Sequence, residues 1–264
     1  MGLNDIFSKL LDPYERQARL YPGLLVVAPG SVVYVCLVGT GNLLGSTLLS
    51  VLASCGVAYA LGRIARDAGR RLQDGLFDKW GGAPTTIVLR HSDTTIDAHT
   101  KARYHRVLAA AIGNLPTPAI EAADPKKADE YYRGATIWLL GQTRDTKKFP
   151  LVFKENIAFG FQRNALGLRR GGIVVSVLCV LVVLTRMVLT NHFFASPSLE
   201  ALGQIKPSYL VAFVVSLAFL ALWIFWISED AMRRTAFAYA VRLLESCDHL
   251  AAVKVPAAHM ITDN

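Results

Sequence analysis

Acidic residues are missing from the long apolar runs of this sequence, and cysteines are few. The chain has 264 residues and four cysteines, none of them in a CxxC pair. Three of the four fall inside apolar runs, so the sequence predicts neither a disulfide framework nor a cysteine-based metal site. Because transporters usually couple ions through charged groups within the membrane, the missing Asp and Glu argue against transport.

The common catalytic and nucleotide-binding motifs are absent as well. The chain contains no GxxxxGK(S/T), no GxGxxG after a strand, no GxSxG, no HExxH and no protein-kinase set. No base-reading module accompanies the net charge of +8, so the sequence argues against nucleic acid as a partner. An enzyme is therefore the least favoured class, and we predict no cofactor, no metal and no assigned catalytic residue.

Four apolar runs of membrane-spanning length are present instead. They lie at about residues 21–39, 43–62, 172–190 and 208–228, and roughly 20 apolar residues cross a bilayer as a helix. The sequence therefore predicts an all-α membrane protein. Its four transmembrane helices would form two hairpins, with a small and mostly helical cytosolic domain inserted between them.

The basic residues predict how these runs are oriented. Of the 28 Lys and Arg, 19 lie in residues 63–170, together with 11 acidic residues. By the positive-inside rule, both termini and this central segment are cytoplasmic, in the inner membrane of a cell. A basic surface beside an anionic leaflet also attracts lipid headgroups.

Five segments follow from this layout. We predict a cytosolic amphipathic segment, a first transmembrane hairpin, a cytosolic stalk with its helical domain, a second hairpin, and a cytosolic C-terminal helix and tail. In chain order these are residues 1–20, 21–62, 63–170, 171–228 and 229–264.

Within the central region, local patterns predict several helices and one strand. Thr85–Arg90 is rich in β-branched residues and is the best strand candidate, with only Phe149–Phe153 as a partner. Asp97 and Asp124 are predicted to cap two helices that end near Gly113 and Gly141. A further helix is predicted at about Leu151–Leu166, ending at Gly167.

One long helix is predicted from Leu43 to Trp80, crossing the bilayer and continuing into the cytosol. Its membrane part carries a small residue at every fourth position: Ser46, Ser50, Ser54, Ala58 and Gly62. Small residues let membrane helices approach closely. Packing within the chain, a homo-oligomer seam and a pore lining are all open interpretations of this stripe.

The densest polar cluster lies between residues 90 and 106. A basic pocket for a phosphorylated ligand near a helix start is one hypothesis, with these candidate residues: His91, Asp93, Lys101, Arg103 and Arg106. A metal or acid–base site is a second, weakened because His99 and His105 lie six residues and about 120° apart on one helix. The third is a solvated polar loop with helix caps.

Several stretches of residues 60–170 resemble a family of bacterial proteins. They read GGAPTT, RHSD, TKARYH, TRDTKKFP and KENIAFGFQRN, and they resemble an uncharacterised family of bacterial multi-span inner-membrane proteins. The two-hairpin layout is also similar, in architecture alone, to four-span effectors of nucleotide-signalled antiviral systems.

Three functional hypotheses remain. The first is an effector or channel-like protein whose cytosolic domain receives a signal from a phosphorylated small molecule or a protein partner. The second is a non-catalytic membrane scaffold or assembly factor. The third is a membrane-anchored enzyme that uses the cluster between His91 and His105. The expected partners are the lipid bilayer and, for the first hypothesis, further copies of the same chain.

Overall fold

The structure, a computed structural model, describes residues 12–39, 47–191 and 205–254, and side chains within residues 12–39, 56–190 and 205–251. All regular elements in these ranges are helical. In chain order they are a π-helical turn Glu15–Leu20 continuing as α1 (Tyr21–Val38), α2 (Thr47–Trp80), α3 (Pro84–Leu89), α4 (Ala98–Ile112), α5 (Pro118–Ala123), α6 (Pro125–Gln142), α7 (Pro150–Asn191), α8 (Pro207–Ala221) continuing as a π-helical turn Leu222–Trp226, and α9 (Glu229–Lys254).

Among the described residues, three helices are long and apolar enough to cross a membrane: Glu15–Val38, Pro150–Thr190 and Pro207–Trp226. The predicted span at residues 43–62 lies partly outside the described residues, since α2 is described only from Thr47. From there to Trp80 the predicted long helix is confirmed as one continuous element. The all-helical class is thus confirmed, with three helices of spanning length.

The chain divides into two compact units. Unit 1 consists of Met1–Gln73 and Gly160–Met232, and unit 2 consists of Asp74–Phe159 and Arg233–Asn264. The helices α2, α7 and α9 each contribute residues to both units.

Glycines bring the helices of unit 1 into close contact. A Cβ added at Gly167 would lie 2.5 Å from the carbonyl carbon of Ala68 and 2.5 Å from the nitrogen of Gly69, so α2 and α7 touch through their backbones. On α1, a Cβ added at Gly23 would lie 2.8 Å from Cβ of Leu61. Small residues permit this approach between apolar helices.

The predicted helix end at Gly167 is wrong. The helix runs without a break from Pro150 to Asn191. Glycine ends helices mainly where the backbone turns left-handed, whereas Gly167 is not among the glycines with positive φ. Its lack of a side chain serves the contact with α2 instead.

Asn164 and Trp223 complete the packing of unit 1. The Asn164 side chain is fully buried, and its Nδ2 donates to the carbonyl of Ala18 over 2.6 Å. Trp223 is also fully buried, and its ring leaves no room for a Cβ at Gly172. The guanidinium of Arg169 donates to the carbonyls of Trp223 and Ile224 over 3.0 and 2.9 Å, which satisfies groups left open near the end of a helix.

Unit 2 has its own apolar core. α4, α6 and α9 each bury one face there, at positions three or four residues apart, and α3 contributes two adjacent residues. The buried members include Val88, Leu89, Tyr104, Leu108, Ala128, Tyr132, Ala135, Leu139, Ala240, Leu243, Leu244 and Cys247. The predicted C-terminal helix therefore packs into the core formed by α3, α4 and α6.

The predicted strand is wrong, because residues 84–89 form the helix α3. Pro84 occupies the first turn, where a missing N–H has no cost. Val88 and Leu89 are both buried in the same core, whereas neighbouring residues on a strand point to opposite faces. The proposed partner segment is also helical, since α7 begins at Pro150.

The two predicted helix caps are confirmed. Oδ1 of Asp97 accepts a hydrogen bond from the Thr100 N–H over 2.9 Å, and α4 begins at the next residue. Oδ1 of Asp124 accepts from the Lys127 N–H over 3.1 Å, ahead of α6. Carboxylates at these positions satisfy N–H groups of the first turn.

Candidate functional site

The predicted polar cluster lies in unit 2 and is built around Glu121, a residue of α5. The Glu121 side chain is 7% exposed. Its carboxylate accepts hydrogen bonds from the N–H groups of His91 and Ser92 over 2.8 and 3.1 Å, and from the Tyr132 hydroxyl over 2.6 Å. Burial alone would raise the pKa of Glu121, but these hydrogen bonds outweigh it and lower the pKa.

Arg90 and Asp129 form a second contact in the same network. The guanidinium of Arg90 donates to both carboxylate oxygens of Asp129, over 2.9 and 2.6 Å, and also to the carbonyl of Gly81 over 2.7 Å. The hydrogen bond to Asp129 raises the pKa of Arg90. This two-point contact fixes the guanidinium in the plane of the carboxylate.

Lys101 is turned inward rather than towards solvent. It is 5% exposed, and its ammonium donates to the carbonyls of Arg90 and Asp93. The carboxylate of Asp93 lies 3.7 Å from the same nitrogen. Burial lowers the pKa of Lys101, although the nearby carboxylates oppose this effect. The side chain thus closes the turn between α3 and α4.

Two histidine rings pack at the centre of the network. The rings of His91 and His105 are 4.7 Å apart, edge to face. Each Nε2 lies within hydrogen-bond distance of a carbonyl, Pro116 at 2.9 Å for His91 and Leu89 at 2.8 Å for His105. Since carbonyls only accept, both Nε2 atoms carry the proton. Burial lowers the pKa of His105, so this ring favours its neutral form.

The five predicted ligand residues do not converge on one pocket. His91, Asp93 and Lys101 belong to the network, where each contacts protein groups. Arg103 instead donates to both carboxylate oxygens of Asp248 on α9, over 2.7 and 3.0 Å. Arg106 is exposed on α4, about 140° around the helix from Lys101. Phosphate binding by these residues stays a prediction.

An open cleft of about 730 Å³ borders the network. Its charged lining includes Arg90, Lys126, Glu121 and Asp129. Two cations face two carboxylates, so the cleft is close to neutral. Among the described residues there is no group of three or more His, Cys, Asp or Glu side chains placed to hold a metal ion. The geometry is that of a network holding residues 90–93 against α5 and α6.

The sequence analysis did not identify three residues of this network, Glu121, Asp129 and Tyr132. Glu121 and Asp129 lie 29 to 39 positions from the His91, Ser92 and Arg90 groups that they bind, and Tyr132 joins the network through Glu121, 11 positions away. The signal in the sequence was indirect. It consisted of an acidic residue in a short segment between prolines, since Pro118 and Pro125 flank Glu121.

The described part of the chain is thus all-helical, with three helices of membrane-spanning length and a separate apolar core in unit 2. Comparisons with protein-family models, with curated proteins and with solved structures found no match. The function is therefore argued from this chain's own residues.

Proposed function

We propose that the protein is a four-span integral membrane protein of the cell inner membrane, with unit 2 in the cytoplasm. Unit 2 receives a ligand or partner signal, and unit 1 responds as an effector or channel-like assembly. The single observation that carries this proposal is the continuity of α2 and α7, each of which contributes residues to both units.

Membrane insertion is supported by the surface of unit 1. Large apolar side chains are exposed along α7, α8 and the π-helical turn that follows α8, including Leu178, Leu189, Val214 and Phe225. Phe225 is 80% exposed. Water-soluble proteins rarely expose contiguous apolar surface of this kind, and helices satisfy all their backbone groups within the hydrocarbon layer.

A fourth span and the orientation are supported by the charge distribution. The apolar run at residues 43–62 contains no charged residue, and α2, which includes the run from Thr47 onwards, becomes basic directly afterwards, at Arg63 and Arg66. An even number of spans keeps residues 63–170 and 229–264 on the same side, where most Lys and Arg lie.

Coupling through α2 supplies the functional part of the proposal. Unit 1 contains α2 up to Gln73, and unit 2 contains the rest of the helix to Trp80. In an α-helix each turn is bonded to the next, so a displacement at one end is carried to the other unless the hydrogen bonds break. A signal bound by unit 2 would act on unit 1 by this route.

The test breaks the helix near the boundary. Gly75 lies in α2, and a Cβ added there would meet nothing within 4 Å. Gly75→Pro removes a backbone hydrogen bond at a cost of about 3 kcal/mol or more, whereas Gly75→Ala strengthens the helix by roughly 0.5–1 kcal/mol. The readout is membrane potential in bacterial cells that express each variant, followed with a potentiometric dye.

The parent and Gly75→Ala are expected to depolarise the cells, and Gly75→Pro is expected to leave the potential intact. Equal membrane levels of the three proteins are the control for folding. Equal depolarisation by all three would contradict coupling through α2. No depolarisation by the parent would contradict the effector function itself.

A membrane scaffold or assembly factor is the alternative, favoured by exposed apolar side chains on α6. Ile137 is 70% exposed, and Leu140, about 60° further around the helix, is also exposed. Exposed apolar side chains of this size suit a protein partner. A stable co-purifying protein that is lost on Ile137→Glu, with unchanged membrane potential, would support the scaffold.

A further inference from the structure

Unit 2 also contains a cavity of about 270 Å³ where the beginning of α7 meets the C-terminal half of α9. Residues 148–152 line one wall, and residues of α9 line the other. All of these residues belong to unit 2, and none of them takes part in the network around Glu121. The volume lies just below the range of about 300–1,000 Å³ that is typical of ligand pockets, so the cavity suits a small molecule.

The wall at the beginning of α7 is apolar. Val152 is buried in the core of unit 2, and Phe149 packs against that core. The Phe149 ring also meets the His249 ring edge to face, with 6.2 Å between their centres. Leu151 is 56% exposed, so its side chain is available for contact. A wall of this kind binds the hydrocarbon part of a small molecule, because the contact removes apolar surface from water.

The polar lining of the cavity is basic on balance. Lys148, Arg242 and His249 can each carry a positive charge, against the single carboxylate of Glu245 among the described lining residues. Lys148 lies 3.9 Å from Asp145 in an exposed pair, which contributes little. Nη1 of Arg242 donates to the Glu245 carboxylate. The other four N–H groups of this guanidinium make no hydrogen bond within the described ranges.

The two kinds of lining select the chemistry of the ligand. A carboxylate can accept two parallel hydrogen bonds from a guanidinium such as that of Arg242. An aromatic ring or a short alkyl chain on the same molecule matches the apolar wall. Small inorganic anions have no apolar part, and apolar amines carry the wrong charge for a basic rim. The cavity therefore suits a small molecule that combines one carboxylate with a compact hydrocarbon part.

We propose that this cavity binds a small aryl or alkyl carboxylate. The carboxylate lies at Arg242 and Lys148, and the apolar part of the ligand lies against Phe149 and Leu151. The ligand would contact the first turn of α7, which begins in unit 2 and continues in unit 1. Its use as a signal therefore rests on the proposed function, whereas the binding itself does not depend on that function.

The probe is 4-fluorophenylacetate, which carries one carboxylate and one aromatic ring. Its binding to the full chain in a non-ionic detergent is followed by fluorine NMR, and micelles without protein supply the blank. A ligand of this size should bind with a dissociation constant on the order of 1 mM. The neutral amide 4-fluorophenylacetamide has nearly the same shape without the charge. It should bind about fivefold more weakly, because the charge-assisted hydrogen bonds are lost.

Four variants test the assigned contacts. Arg242→Gln should weaken binding of the acid about fivefold, and Leu151→Ala should weaken it about threefold through lost apolar contact. Glu245→Gln should strengthen it, because the change removes a repelling carboxylate and releases Nη1 of Arg242. Damage to the fold cannot produce such a gain. Arg234→Gln is the matched control, since Arg234 is an exposed arginine of α9 that does not line the cavity, and it should bind like the parent.

Any of four results would overturn the site: no signal beyond the micelle blank, equal binding of the acid and the amide, an unchanged affinity in both Arg242→Gln and Leu151→Ala, or weaker binding in Glu245→Gln. The membrane-potential assay separates this inference from the proposed function. Depolarisation by the parent without probe binding refutes this site alone. Probe binding without depolarisation supports the site and contradicts the effector function.

Discussion

Replacing Glu121 with Gln should loosen the turn between α3 and α4 without unfolding unit 2. In the native protein the carboxylate accepts from the N–H groups of His91 and Ser92 and from the Tyr132 hydroxyl. A Gln side chain keeps the shape, but it has only one oxygen, and its NH₂ group would face a donor. At least one buried donor then loses its acceptor.

The magnitude follows from the kind of bond that is lost. A hydrogen bond to a charged group contributes about 1.5–3 kcal/mol to stability. Because 1.4 kcal/mol corresponds to a factor of ten, the amides of His91 and Ser92 should exchange with solvent roughly 10- to 150-fold faster in Glu121→Gln. Glu121→Ala removes all three acceptor contacts and should have the larger effect.

Hydrogen exchange measured by mass spectrometry on peptides that cover residues 90–97 is the assay. Glu130→Gln is the matched control, since Glu130 lies on α6 with its side chain 70% exposed, and surface substitutions of this kind change stability by about 0.5 kcal/mol or less. Unchanged exchange at residues 90–93 in Glu121→Gln would refute the role of the Glu121 carboxylate in holding this turn.

Two further predictions concern pH and topology. The pKa of His105 is lowered from its ordinary value of 6.5, so on acidification the unfolded chain binds the proton first. The melting midpoint of unit 2 should therefore fall as the pH drops below 6.5, and His105→Gln should flatten this dependence. In a cysteine-free background, Asp124→Cys should react with a membrane-impermeant maleimide only from the cytoplasmic side, and labelling from outside would contradict the proposed orientation.

Local signals predicted the parts of the fold that local interactions determine. Asp97 and Asp124 were identifiable as caps because a cap bonds an N–H only three residues away. The long helix was predictable to its end at Trp80, where Gly81 and Gly82 have φ values of 89° and 142° that favour glycine.

For the small-residue stripe, the structure describes side-chain contacts only at the end formed by Ala58 and Gly62. A Cβ added at Gly62 would lie 3.8 Å from Cβ of Arg19, so this end of the stripe faces the first helix of the same chain. Ala58 borders the same contact. Ser46 lies outside the described residues, and only the backbone of Ser50 and Ser54 is described. A homo-oligomer seam along the serines stays a prediction.

The features that the sequence did not predict depend on contacts between distant segments. Residues 85–88 have β-branched side chains, but β propensity reflects a sheet environment that the described residues do not supply. Judged from its neighbouring residues in the sequence, Glu121 is indistinguishable from an ordinary surface carboxylate. Its role depends on Tyr132 and on the turn at His91, and no spacing rule connects them.

Gly167 offers the clearest test of this distinction, because Gly171 on the same helix is a matched control. A Cβ at Gly171 would meet nothing within 4 Å, whereas at Gly167 it would lie 2.5 Å from backbone atoms of Ala68 and Gly69. Backbone atoms cannot rotate away as a flexible side chain can, so α2 and α7 must separate.

Gly171→Ala should stabilise the helix by roughly 0.5–1 kcal/mol. Gly167→Ala gains the same helix propensity but separates two helices that associate through close contact. It should therefore lower the melting midpoint of the detergent-solubilised protein, in the opposite direction to Gly171→Ala. Equal stabilisation by both variants would show that α2 and α7 do not touch at Gly167, and that the glycine there reflects helix conformation alone.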